Sequence, residues 1–142
     1  MSFAQTASTI RTRFATEWPQ LRPAVAIAYD NLAFDPGRDA LDAERNPAAW
    51  VRLTIIPGEG FQASLGTPRV WRATGVAVVQ VFAPLGAGDG LAYGLADDVA
   101  SVFRGASVQG VVFRAPSLTR VGPDEAWYQI NVATPFQADS TA

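Results

Sequence analysis

The sequence predicts an α+β fold: a mostly antiparallel sheet of about five strands with two helices packed on one face, in the order α-β-β-β-α-β-β. Three observations predict it. Two segments carry a single apolar stripe at helical spacing, and the stretches between and after them alternate or run apolar between turn residues. The length of 142 residues fits one domain spanning 1–142, able to bury roughly 68–70% of the surface its unfolded chain exposes.

The first helix opens on Ser2 and Gln5, an S-x-x-Q capping box, and continues through Phe3, Ala7, Ile10, Phe14 and Trp18. At 100° per residue these five lie within about 80° of one another, one stripe that must face a core. Pro19 is the expected stop. Ala24 to Asp30 alternates Val25, Ile27 and Tyr29 with alanines, a strand whose small face lies close to something. The polar stretch Asn31 to Asn46 is too long for a simple hairpin and reads as a surface loop, a candidate for interaction.

Trp50 to Ile56 reads as the second strand, ended by Pro57-Gly58 and a break running through Glu59, Gly60 and Phe61. Arg69 to Phe82 is a third, Val-rich strand closing at Pro84, in which Gly75 marks a bulge or strong bend. Leu91 to Arg104 carries the second helical stripe (Leu91, Leu95, Val99, Val102, Phe103), with Gly105 placed as its C′ residue. Val111 to Val121 and Ala126 to Phe136 are the last strands, joined by the turn Gly122-Pro123-Asp124-Glu125, and Gln137 to Ala142 reads as a frayed polar tail. Trp50, Trp71 and Trp127 all fall in strands. The sheet face without helices therefore carries more apolar surface than solvent requires, and neighbouring subunits are expected to close part of it.

Composition excludes much chemistry. With no Cys there is no disulfide, thiolate nucleophile or cysteine-held metal centre, and with no His there is no triad base or imidazole ligand. No cofactor and no metal is expected. A net charge of −2 and a pI near 4.9 argue against a general phosphate-binding surface. All eleven basic residues are Arg. The polar first residues lack the apolar core of a signal peptide and no run reaches the length of a membrane span, so a soluble chain made in the cytoplasm is expected.

Each candidate motif meets a physical objection. Gly86-Ala87-Gly88-Asp89-Gly90 precedes a helix, where amides attract anions, but Leu91 stands where a dinucleotide loop needs its third Gly, and Asp89 repels phosphate. With Asp89 at or near the N-cap the segment is simply a helix start. Asp97 and Asp98 point about 100° apart on a helix and cannot share a proton as a catalytic dyad does. Asp98, at the border of the stripe, is expected to bond a backbone turn or a neighbouring subunit. Asp35, Asp39, Asp42 and Glu44 lack the D-x-[DN]-x-[DN]-G order of a calcium loop, and no serine sits in G-x-S-x-G.

Taken together, the opening amphipathic helix, Ile27-Ala28-Tyr29-Asp30-Asn31 with Phe34 and Pro36, Gly75-Val76 leading to Gln80-Val81-Phe82-Ala83-Pro84-Leu85-Gly86-Ala87-Gly88, and Ala96-Asp97-Asp98-Val99 to Phe103-Arg104-Gly105 resemble the tail terminator proteins of long-tailed phages and phage-derived gene-transfer particles. The order of these segments carries the resemblance more than any one of them, and it covers nearly the whole chain.

The resemblance implies a structural virion protein and no enzyme. Such a subunit forms a hexameric ring on the head-proximal end of the tail, stops polymerisation of the major tail tube protein, and offers a surface to head-completion (neck) proteins. Its place is the virion neck, after assembly in the host cytoplasm. Six copies of a −2 chain make a ring of about −12, whose lumen lets DNA pass without sequence-specific binding; no membrane is involved. The interface is expected on the long loop (Arg38, Asp39, Arg45), on the break after the second strand (Glu59, Phe61, Gln62), and on Arg69 and Trp71 beside it, with two strands extended as a hairpin suited to stacking on a tube. A neck adaptor or a tube subunit, of the same size and acidic balance, is the alternative reading. A small-molecule-binding domain using the apolar sheet face is a third.

Overall fold

The computed structural model describes residues 2–141. Its elements in chain order are α1 (Phe3–Leu21), β1 (Ala26–Tyr29), α2 (Pro36–Asp39), β2 (Trp50–Gln62), β3 (Val70–Pro84), α3 (Gly90–Phe103), β4 (Ser107–Val108), β5 (Val111–Phe113), β6 (Ser117–Asp124) and β7 (Trp127–Thr141). The class is α+β, but its details differ from those the sequence predicts. One curled seven-stranded sheet runs β1-β2-β3-β7-β5-β4, with β6 also on β7, and β1 pairs parallel to β2 while the other pairs are antiparallel. The extra helix, α2, is a single turn inside the long loop, started by Pro36 and capped by the Asp35 carboxylate, which accepts from the Gly37 N–H at 3.0 Å.

The capping box forms as spaced: the Gln5 N–H donates to Ser2 Oγ at 3.1 Å and the Ser2 N–H to Gln5 Oε1 at 2.9 Å. Ile10, Phe14 and Trp18 are fully buried, whereas Phe3 at the start of the stripe is 79% exposed, because the helix overhangs the core by a turn. Pro19 does not end the helix. It stands in the last turn, where one missing donor matters little, and the Arg22 N–H closes the end on the Trp18 carbonyl at 2.8 Å.

One face of the sheet is covered by both long helices. Val51 and Leu53 of β2, Ala77, Val79 and Val81 of β3, and Ile130 and Val132 of β7 meet the buried stripes of α1 and α3 in a single cluster. The alternation of burial along β3 and β7 is the period of two that a half-covered sheet requires. An aromatic row runs across this core. Phe14 stacks on Trp18 and Phe103 at 5.4 and 5.7 Å between ring centroids, and Phe103 meets Phe113 at 4.9 Å. Two polar ties fix the helices to each other: Arg22 Nε donates to Asp98 Oδ2 at 2.6 Å, and Arg13 Nε to the Val102 carbonyl at 3.1 Å. The Asp98 carboxylate thus meets the Arg22 side chain at the C-cap of α1, instead of a backbone turn.

The other face is covered at one end only. There the loop between β1 and β2 drapes over it, and Ala40 and Phe34 pack with Trp50, Phe82 and Trp127. Trp50 stacks on Phe82 at 4.0 Å and meets Trp127 edge-on at 5.9 Å. No helix lies over Ile56, Val76, Val78, Ala133 and Pro135 farther along this face.

Further expectations are corrected along the strands. The Pro57-Gly58 break is a β-bulge between Pro57 and Gly60, after which β2 continues to Gln62. β1 covers β2 only from Trp50 to Leu53, so Pro57 sits on a free outer edge where its missing N–H costs no ladder bond. The bulge expected at Gly75 lies on the strand opposite it. The strand expected over Val111 to Val121 splits into β5 and β6, which lie end to end along one edge of β7 and are separated by Arg114-Ala115-Pro116. The tail is no frayed end up to Thr141: residues 137–141 extend β7 and pair with Val70 to Thr74 of β3, while Ala142 lies outside the described residues. At the start of α3, Asp89 takes the N-cap position, but its side chain makes no capping bond; its carbonyl accepts the Tyr93 N–H at 3.0 Å.

The consequence is a three-stranded arm. The ends of β2 and β7 and the start of β3 run on together past the helical layer, closed by the turn 63–69.

Candidate functional site

Twelve residues separate Trp50, under the draped loop, from Gln62 at the far end of β2, and at about 3.3 Å per residue the two ends lie at most about 40 Å apart. The residues expected at an interface fall into two groups at these opposite ends. Arg38, Asp39 and Arg45 lie in the loop. Glu59, Phe61, Gln62, Arg69 and Trp71 lie on or beside the arm.

In the loop, Arg38 and Asp39 answer each other. The Arg38 guanidinium donates twice to the Asp39 carboxylate, at 3.1 and 3.0 Å, and Asp39 Oδ2 also accepts the Asp35 N–H at 2.9 Å. These bonds hold the Asp39 carboxyl below its ordinary range, the Arg38 hydrogen bond being the largest cause. Asp42 organises the next turn, its Oδ1 accepting the Glu44 and Asn46 N–H groups, and this places Arg45 at φ +66° on the surface. Asp35, Asp39 and Asp42 thus serve as acceptors that form the turns of this loop.

On the arm, strand register sorts the expected residues. Gln62 pairs with Trp71, and Phe61 with Arg72. Trp71 follows Gly75 and Ala73 on the helix side of β3, and alternation puts Arg69 with it; Phe61 and Arg72 point to the other side. Trp71 is 40% and Phe61 50% exposed, so each side of the arm presents one large aromatic to solvent. Glu59 stands in the bulge, where its carbonyl accepts the Thr74 hydroxyl at 2.8 Å.

The arm is braced by Arg72 and Asp139, whose side chains face each other across β3 and β7: Nε to Oδ1 at 2.8 Å and Nη2 to Oδ2 at 3.0 Å. The Arg72 hydrogen bonds hold the Asp139 carboxyl below its ordinary value of 3.8, against a smaller opposing effect of burial. With the folded value depressed, the pair's stabilisation is complete above that ordinary value and is lost as pH falls through the folded one. Acidification from about pH 5 to about pH 2 is expected to loosen residues 137–141 ahead of the helical core, seen in amide NMR signals. Asp139→Asn should remove that pH dependence; an unchanged acid profile in the variant contradicts the assignment.

Sequence reasoning misses a groove at the base of the arm, of about 340 Å³. It lies between the first turns of α1 and the sheet where β1 stops, with Leu53, Ile55 and Phe136 inside and Phe3, Arg11 and Asp30 at its margin. Its parts come from sequence-distant elements, and the one local clue is Asp30, the charge that ends an otherwise apolar strand. Tyr29 also lines it, its hydroxyl pushed toward higher pKa by burial. In the Gly86–Gly90 loop, Gly86 and Gly88 take φ values of +87° and +80°, which explains their identity as turn residues.

Among the described residues no group of three or more Asp and Glu side chains converges to hold a metal ion. No helix of the described residues is long and apolar enough to cross a membrane.

A solved structure resembles this chain with a TM-score of 0.67 at 20% sequence identity, over 97% of this chain and 96% of that one, a likeness of fold. No curated protein sequence matches. The family model described as phage tail terminator protein matches residues 6–136. The chain belongs to the phage tail terminator family, structural components of phage tails that work in contact with other virion proteins.

Proposed function

We propose that this chain caps the head-proximal end of the tail tube as a ring of six copies, stops polymerisation of the tube protein, and gives the head-completion proteins their seat in the virion neck. Its work is contact, without a catalytic step or a cofactor. The observation that carries the reading, beside family membership, is the arm: a braced three-stranded projection with Phe61 and Trp71 exposed on its two sides. A rigid arm with aromatic anchors suits an interface, because little side-chain freedom is lost on docking.

Glu59, Phe61, Gln62, Arg69 and Trp71 on the arm, and Arg38, Asp39 and Arg45 on the loop, are the contact residues of this reading. Their placement at opposite ends of β2 fits a ring contact between unlike surfaces, or contacts to two partners stacked along the tail axis. The negative chain, repeated around a ring, keeps the lumen from holding passing DNA.

The double substitution Phe61→Ala with Arg69→Ala removes exposed groups only, so stability should stay within about 0.5 kcal/mol of the parent. Particles carrying it are expected to show overlong or broken tails by electron microscopy. Tails of normal length and number would contradict the placement of the interface on the arm.

A further inference from the structure

The turn closing the arm is built to hold one side chain out. The Val70 N–H donates to Ser64 Oγ at 3.0 Å, the Gln62 side chain donates to the Ser64 carbonyl at 2.6 Å, and the Ala63 N–H donates to the Val70 carbonyl at 2.7 Å. Between these ties Leu65 is 96% exposed, more than any other large apolar residue described. An ordered turn that presents a bare leucine loses little freedom when that leucine docks.

The groove at the arm's base is the complementary shape. Its volume of about 340 Å³ accommodates an apolar side chain with its neighbours, and Leu53, Ile55 and Phe136 make much of its lining apolar, beside Tyr29 and Thr74. Charge matches as well. Asp30 stands at the groove's margin and Arg69 beside the closing turn of the arm, and neither has an ion-pair partner among the described residues. The two surfaces thus carry opposite charges that are free to meet.

The same chain cannot make this contact with itself. Pro57 lines the groove, whereas Leu65 lies eight residues on, in the turn beyond the end of β2 at Gln62, and the end of β2 is held away from the groove by its pairing with β3. We infer that the occupant of the groove is Leu65 of a second copy, with Arg69 toward Asp30. Two unlike surfaces then meet at every joint, the head-to-tail geometry that closes into a ring. The inference rests on the ring reading above and adds to it the joint itself.

The chain contains no cysteine, so a pair introduced at the two surfaces is the only one present. The protein with Ala7→Cys in the groove and Leu65→Cys on the turn, purified and also carried in particles, is oxidised mildly and run without reductant. A ladder of covalent oligomers in the double variant, with nothing beyond dimers in either single variant, is the expected result. Oligomers by light scattering, or capped tails by microscopy, without that ladder would overturn the joint and leave the ring reading intact. A ladder from a protein absent from tails would keep the joint and overturn the terminator reading. A chain that stays monomeric in solution and is missing from particles overturns both.

Discussion

Gly75→Ala is expected to lower stability by about 3 kcal/mol, a large loss for the addition of one methyl group. A Cβ at this position would lie 2.5 Å from Phe136 Cζ and 2.7 Å from the Ile56 carbonyl oxygen, both far inside contact distance. The ring belongs to the core cluster and the oxygen to the neighbouring strand, so neither can move aside alone. Relief requires the sheet to open where the arm leaves the core. Denaturant unfolding measures the loss. Phe136→Leu combined with Gly75→Ala should recover part of it, since the ring contact goes and the carbonyl contact stays. A midpoint unchanged by Gly75→Ala alone would mean that the strands are not packed as described.

Trp18→Ala is the second large effect, about 4 kcal/mol, or a fall in melting temperature of about 10 °C or more. The indole is fully buried, stacks on Phe14, and donates its N–H to the Val25 carbonyl at 3.2 Å where the chain turns from α1 toward β1. Truncation opens a cavity and strands that carbonyl. Trp18→Phe keeps most of the packing and loses only the hydrogen bond, so it should cost less than half as much. Equal losses for the two variants would mean that the indole N–H, and not the core, carries the effect.

These two residues mark how far the sequence could be read. Trp18 was legible, because the helical period from Phe3 to Trp18 and the Ser2–Gln5 box are local signals, and the core they require is where they put it from Ile10 onward. Gly75 was legible as a special position, but its reason was not: the Phe136 ring reaches it from sixty residues away. The parallel pairing of β1 with β2 leaves no trace in a period of two, which encodes faces and not strand direction. Pro57 reads as a break unless one knows that it lies on a free edge, which depends on β1 stopping at Tyr29. Gln137 to Thr141 has the composition of a tail and becomes a strand because Val70 to Thr74 and the Arg72–Asp139 pair hold it.

The candidate site divides in the same way. Excess strand tryptophans point to an exposed apolar surface, but Trp50 is buried under the draped loop with Trp127 against it, whereas Phe61 and Trp71 are exposed. That they lie on opposite sides of one arm follows from register, which no single strand carries in its own sequence. Arg38 and Asp39 look like available charges in the sequence and are largely spent on each other in the fold. The groove comes from α1, the end of β1, β2 and β7, joined only by tertiary structure.

The central claim is that this chain ends the growing tail tube. Deletion of the chain, followed by electron microscopy of the particles, tests it most directly. Overlong tails without heads are the predicted result. Tails of normal length, detached or joined to heads, would contradict it.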